Sequence, residues 1–226
     1  MKLVDFFRSL NKEISIFLNS LSEQKLKIAV ISYYFESPTI SGVGIHSRLL
    51  AKFLAENNCE VHVFCSNTDY ESYKKENVIV HNIGRILPNV NGSSSKKRLE
   101  YFLFESEVVK AIIRENSKRG FDIIHTHGSL TKAAFILKKI CGLKWVHTFH
   151  AIERVRIRKL SKEEKYFEDL ITWGESTVNY CDGAIYVSNP IYMQGRKSYH
   201  IKKNIVIPNG VDMHFFKYFP IRTKNV

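Results

Sequence analysis

Apolar residues follow two rhythms along this chain. Short runs with few interruptions occupy 27–34, 60–65, 78–83, 121–128, 143–150, 182–187 and 203–207, each bounded by charged or turn residues. A run of that kind suits a strand covered on both faces, as in a parallel sheet. Between the runs, apolar positions recur every three or four residues: Ile45, Leu49, Leu50, Phe53 and Leu54, then Phe102, Val109, Ile112 and Ile113, then Ala133, Ala134, Ile136 and Leu137. That spacing predicts helices over 43–57, 99–118 and 129–141, with two more over 161–180 and from Asn189-Pro190 onward. Ser161 and Glu164 have capping-box spacing. Strand and helix in alternation predict an α/β, Rossmann-like, doubly wound and mostly parallel sheet of about seven strands with right-handed crossovers.

Two regions stand outside that alternation. Residues 1–24 place Leu3, Phe6, Leu10, Ile14, Phe17 and Leu21 on one helical stripe, so an amphipathic helical extension is expected, docked on its own domain or a partner or lying in a membrane interface. The glycine- and serine-rich stretch 84–98 reads as a surface loop. The expected division is therefore 1–24 as extension, 25–212 as the α/β domain and 213–226 as a tail.

Charge changes this picture more than composition does. Thirty-four Lys and Arg against 22 Asp and Glu leave a net charge of +12. This favours anionic partners: phosphorylated substrates, nucleotides or acidic lipid. Nucleic acid is not expected, since no reading helix or aromatic platform accompanies the charge. Four cysteines without C-x-x-C spacing point to free thiols, and the chain shows no membrane span or signal-peptide pattern. The expected location is cytoplasmic, with peripheral membrane contact through basic or amphipathic segments.

Candidate chemistry collects where strands end. The run through Ile123 and Ile124 stops at His125-Thr-His127-Gly128, and the next stops at His147-Thr-Phe-His150, so His127 and His150 are expected on one carboxyl edge, where doubly wound sheets bind ligands. The loop Ser41-Gly-Val-Gly44 lies before a helix whose N–H groups can hold phosphate or a sugar hydroxyl. A dinucleotide fingerprint is not met: Ser47 replaces the third glycine and Cys65-Ser66 replaces the acid. His125 with His127, even joined by His147 and His150, makes a weak metal set, so no metal is expected. His125 reads as a satisfied core histidine. Ser188-Asn-Pro190 offers either ligand donors or a helix cap. Arg154, Arg156, Arg158 and Lys159 alternate with Val155 and Ile157, as a solvated loop or as a basic surface for phosphate or an anionic membrane. Glu107 and Glu115 have a paired-glutamate spacing but precede the His127 strand.

Together these pieces resemble the N-terminal half of family 4 (group 1) glycosyltransferases of GT-B fold. The resemblance runs through 27–32, Ser41-Gly-Val-Gly-Ile-His46 and on to Leu54, 60–64, 121–128, 146–150, 181–188 and Ile207-Pro-Asn-Gly-Val-Asp212. It implies retaining transfer of a sugar from a nucleotide donor, in a cleft between two Rossmann-like domains, with this domain on the acceptor side. It implies His127 at the transferred sugar as the catalytic histidine, and Gly42, Val43, Gly44, His46, His150 and Ser188 lining the substrate site. No cofactor beyond the nucleotide-sugar substrate is implied. The family's donor-binding domain would follow Asp212, where only fourteen residues stand here. The chain is thus expected to be inactive without such a domain or subunit; a non-catalytic binder of an anionic glycan, lipid or partner is the alternative.

Overall fold

The structure is a computed structural model that describes residues 25–35, 41–66, 72–84, 86–87, 94–156 and 168–210. In chain order the elements are β1 (Leu26–Ile31), α1 (Gly42–Glu56), β2 (Cys59–Cys65), β3 (Tyr73–Lys75), β4 (Val78–Asn82), α2 (Ser94–Arg119), β5 (Ile123–His127), α3 (Lys132–Cys141), β6 (Lys144–Phe149), α4 (Glu153–Arg156), α5 (Glu168–Ser176), a 3-10 turn (Thr177–Tyr180), β7 (Gly183–Tyr186), α6 (Asn189–Ser198) and β8 (Asn204–Val206). The strands form one sheet in the order β3-β4-β2-β1-β5-β6-β7-β8. Every pairing is parallel except β3 with β4.

Strand β1 sits at the centre because its run is apolar on both sides. Ala29 and Ile31 face a core shared with Phe104, Val108 and Ile112 of α2 and Ala133, Ala134 and Leu137 of α3. Ile28 and Val30 face the opposite core, with Val61, Val63, Val80 and Ala51 of α1. A two-residue period splits one strand between two layers. The chain winds outward from β1 through β2 to β4, then returns beside β1 at β5 and winds outward the other way. The order therefore reverses between β1 and β5, the switch point at whose carboxyl edge doubly wound sheets form their ligand crevice. Asp122 and Asp182, each at a strand start, lock neighbours in register: Lys27 N–H donates to Asp122 Oδ2 at 2.8 Å and Trp145 N–H to Asp182 Oδ2 at 2.8 Å.

Two expectations change. The sheet has eight strands, the extra one being β3, which folds back on β4 with Tyr73 opposite Val80. Its turn uses Glu76 and Asn77, both at positive φ (48° and 63°), without the Asn-Gly pair that marks such turns in sequence. Helix α2 begins at Ser94, so 94–98 is its first turn rather than loop. Lysine and arginine are good helix formers, and that composition outweighs the serines. The extension 1–24, the Ser161–Glu164 capping box and the tail from 211 lie outside the described residues.

Candidate functional site at the carboxyl edge

Helix α1 enters the crevice because it can press against the backbone after β1. A Cβ on Gly44 would lie 2.1 Å from the Tyr34 carbonyl oxygen, so only glycine allows that approach. One turn on, Ser47 is buried and its hydroxyl meets Ser32 Oγ at 2.7 Å, which fastens the helix to β1 where a dinucleotide fold would use glycine. Ser41 accepts the Gly44 N–H at 3.4 Å as the N-cap. Val43 is half-buried and its carbonyl accepts the Ser47 hydroxyl at 2.8 Å. Gly42 differs from Gly44: it is exposed, and a Cβ there would meet nothing within 4 Å.

His46 projects from this first part of α1 onto two other imidazoles. Its ring centroid lies 5.4 Å from that of His127, the last residue of β5, and 4.8 Å from that of His150, just past β6. His127 Nδ1 and His150 Nε2 are 3.4 Å apart. His127 is buried and its Nε2 has no hydrogen-bond partner among the described residues. Behind it His125 stacks at 4.5 Å and bonds Thr148 Oγ1 at 2.8 Å. His147, on the other face of β6, bonds Thr126 Oγ1 at 2.8 Å, and Trp145 Nε1 donates to the same oxygen at 2.7 Å. His125 and His147 are thus core histidines, whereas His46, His127 and His150 share one space with potential ligand atoms all within 4.8 Å of one another. Among the described residues that grouping, rather than the His125/His127 pair, is the one able to hold a metal.

Burial disfavours the imidazolium, and each ring disfavours charge on its neighbours. Burial holds His127 well below the usual histidine range, with His125 and His150 adding to the shift. His125 and His147 are lowered to about 3 and His150 to about 4, again by burial first. His46 is lowered by burial, partly offset by a hydrogen bond with Asn209. At neutral pH the cluster is a set of neutral imidazoles, able to donate and accept hydrogen bonds but carrying no charge.

The other expected residues lie differently. Ser188 stands just past β7 on the same edge, but its hydroxyl caps α6, accepting Ile191 N–H at 3.5 Å. The Arg154 guanidinium lies 5.9 Å from the Tyr199 ring centroid. Arg156 closes α4, while Arg158 and Lys159 lie outside the described residues. Glu107 and Glu115 are surface partners of Lys110 and Lys118, at 2.6 and 3.0 Å. Sequence reasoning missed two contributors. Asn209, after the last strand, reaches back to His46. Glu175 accepts the N–H groups of Glu153 and Arg154 at 2.5 and 2.7 Å and the Tyr199 hydroxyl, fixing the turn that follows His150. Asn209 stands in the Ile207–Asp212 motif, which marked the family but gave the residue no role at the site, and a Glu in a helix reads as a solvated face.

The sequence profile described as Glycosyltransferase Family 4 matches residues 40–215. The chain is 28% identical over 129 residues to an uncharacterised glycosyltransferase of Methanocaldococcus jannaschii, a match covering 57% of this chain and 32% of that one. It is 29% identical over 134 residues to a D-inositol 3-phosphate glycosyltransferase of an Arthrobacter species, covering 55% and 30%. These matches span about a third of each curated relative's length. Among solved structures, sucrose-phosphate synthase of Thermosynechococcus elongatus superposes with a TM-score of 0.68 at 20% identity, covering 85% of this chain and 50% of that one. A UDP-glucosyltransferase of Polygonum tinctorium gives 0.56 at 10% identity, covering 83% and 53%. At those identities the likeness is one of fold.

Proposed function

We propose, from the premise that the chain belongs to glycosyltransferase family 4 as the N-terminal domain of a GT-B fold, that the crevice between β1 and β5 is the acceptor side of a sugar-transfer cleft. The observation that carries this reading is the convergence of His46, His127 and His150 beside open backbone at Gly42. Reaction is retaining transfer from a nucleotide-sugar, with the nucleotide held by a second, donor-binding domain. His127, buried and neutral, hydrogen-bonds a hydroxyl of the transferred sugar through an otherwise unpartnered ring nitrogen. His150 and His46 line the acceptor path. The N–H groups of the first turn of α1, reached over Gly42 and Val43, face the donor phosphates. Neutral histidines supply no positive charge to the departing diphosphate, so its stabilisation falls to that helix terminus and to cations of the donor domain.

Half a cleft leaves the donor phosphates in water. The isolated chain is therefore expected to show negligible transfer from UDP- or GDP-sugars to glycan or lipid acceptors, and to gain transfer when joined to a family donor domain. In that joined protein His127→Ala lowers kcat by about 100-fold or more, on the scale of losing one positioned hydrogen bond in a dry site. Robust turnover by the chain alone, or full activity in the His127→Ala protein, overturns the reading. Acceptor binding that persists without any transfer in the joined protein favours a non-catalytic glycan or lipid binder instead.

A further inference from the structure

The proposed transfer uses His46, His127 and His150 as hydrogen-bonding groups, yet their geometry supports a second chemistry. Three imidazoles from three separate elements offer ring nitrogens within 4.8 Å of one another. The one pair whose atoms are fixed, His127 Nδ1 and His150 Nε2, is separated by 3.4 Å. That is a long hydrogen bond, near the outer limit for nitrogen. It is also close to the edge of a tetrahedron around zinc, which at Zn–N distances of 2.0–2.1 Å is about 3.3 Å. We propose that His46, His127 and His150 form a three-histidine site for a zinc-class divalent ion, with the fourth position open to water at the crevice mouth.

Several features fit that assignment. His46 and His150 are only half-buried, so an ion has a path in, while the buried His127 closes the floor. The His46 ring is hydrogen-bonded by Asn209, an outer contact of the kind that orients a metal-bound imidazole, and the His127 ring is fixed by stacking on His125. Drawing the widest nitrogen pair to a tetrahedral edge needs a closure of no more than about 1.5 Å. The sequence alone suggests a different and weaker set, because His46 lies far along the chain from the other two and joins them only through the β1/β5 reversal. An ion held by His127 Nδ1 and His150 Nε2 would sit in the acceptor path beside the sugar hydroxyl assigned to His127 Nε2, so metal occupancy blocks the transfer proposed above.

The test uses the untagged chain and metal alone, with no sugar, so it succeeds or fails independently of the transferase reading. Cobalt(II) is titrated into the protein and followed by its visible d–d bands, and zinc is titrated against a chromophoric chelator. One equivalent of tightly held ion with tetrahedral cobalt bands is expected. His46→Gln and His150→Gln are each expected to weaken zinc by more than the roughly 10–100-fold that an outer-shell change brings. His200→Gln, an exposed residue away from the cluster, leaves affinity unchanged. Because the substitutions can perturb packing, imidazole nitrogen resonances of the unsubstituted chain are recorded with and without zinc. Shifts confined to His46, His127 and His150 uphold the site. Octahedral cobalt spectra, no saturable binding, or zinc shifts centred on other histidines overturn it.

Discussion

Gly42 and Gly44 stand two residues apart on α1 and answer to opposite constraints. At Gly44 a methyl group would strike the Tyr34 carbonyl at 2.1 Å, and backbone cannot swing away as a side chain can. Gly44→Ala is expected to cost about 1–3 kcal/mol in urea unfolding, the usual scale of overpacking. At Gly42 nothing meets a Cβ and the residue already lies in the helix. Gly42→Ala is expected to hold stability or raise it by up to about 1 kcal/mol through a stiffer unfolded chain. Gly42→Ile folds as well but weakens acceptor or donor binding in the joined protein. Equal destabilisation by the two alanine changes would show that the helix terminus does not pack as described. The histidines divide by position rather than by partners: His125 and His147 each bond a threonine in the core, and although His147 Nε2 and His127 Nε2 are both unpartnered among the described residues, His127 is the one that meets His46 and His150.

Helix starts in the second half of the molecule depend on glutamates from other elements. Thr131 precedes α3 but spends its hydroxyl on the Gly174 carbonyl at 2.6 Å. Glu105, on α2 and almost fully buried, accepts instead from Lys132 N–H at 2.8 Å and Ala133 N–H at 3.2 Å, and pairs with the Lys132 ammonium. Glu175 does the same for α4, and Glu100 accepts from Ile86 and Leu87 N–H groups at 3.0 and 2.7 Å. Removing such a carboxylate leaves two backbone donors, in most cases part-buried, without their partner at once. Glu105→Ala and Glu175→Ala are each expected to lower stability by about 2–4 kcal/mol, against about 1 kcal/mol for Tyr199→Phe, which leaves the backbone bonds to Glu175 intact. Thermal or urea melts giving less than about 0.5 kcal/mol for Glu105→Ala would contradict its capping role.

Across the whole molecule, acid stability is set by histidines that folding keeps neutral. His147 is lowered to about 3 by burial, and His81, stacked on Phe64 and His62, to about 4 by burial and then by His62. Above pH 6.5 both folded and unfolded chains carry them neutral, so they contribute no slope. Below it the unfolded chain takes up protons that the folded chain refuses until its own lower values, and stability falls with pH. Glu105 and Glu175 act the other way, since burial raises them and the folded state protonates first. Seven histidines are lowered against these two glutamates. The urea midpoint is therefore expected to fall steadily between pH 6.5 and 4, by on the order of 1 kcal/mol per unit for each fully buried histidine. A flat profile over that window would show these rings to be solvated.

What the sequence settled by itself was everything that short-range pattern encodes. The runs at 27–34 and 121–128 named β1 and β5, their polar endings named the carboxyl edge, and the ordered motifs from Ser41 to Asp212 named the family; burial demands continuous apolar residues in a parallel strand, so the signal is local. Strand β3 escaped because its turn lacks glycine, and Glu105 and Glu175 because a buried acid and a solvated one look alike until its partners are known. That His127 and His150 share an edge was legible in their strand endings, but the ring contacts of His46 with both, and of Asn209 with His46, were decided only by tertiary structure. Strand order brings the first turn of α1, which packs over β2 and β4, beside the end of β5 and returns Asn209 after β8 to His46, and no periodicity along the chain records which distant residues a reversal of sheet order will bring together.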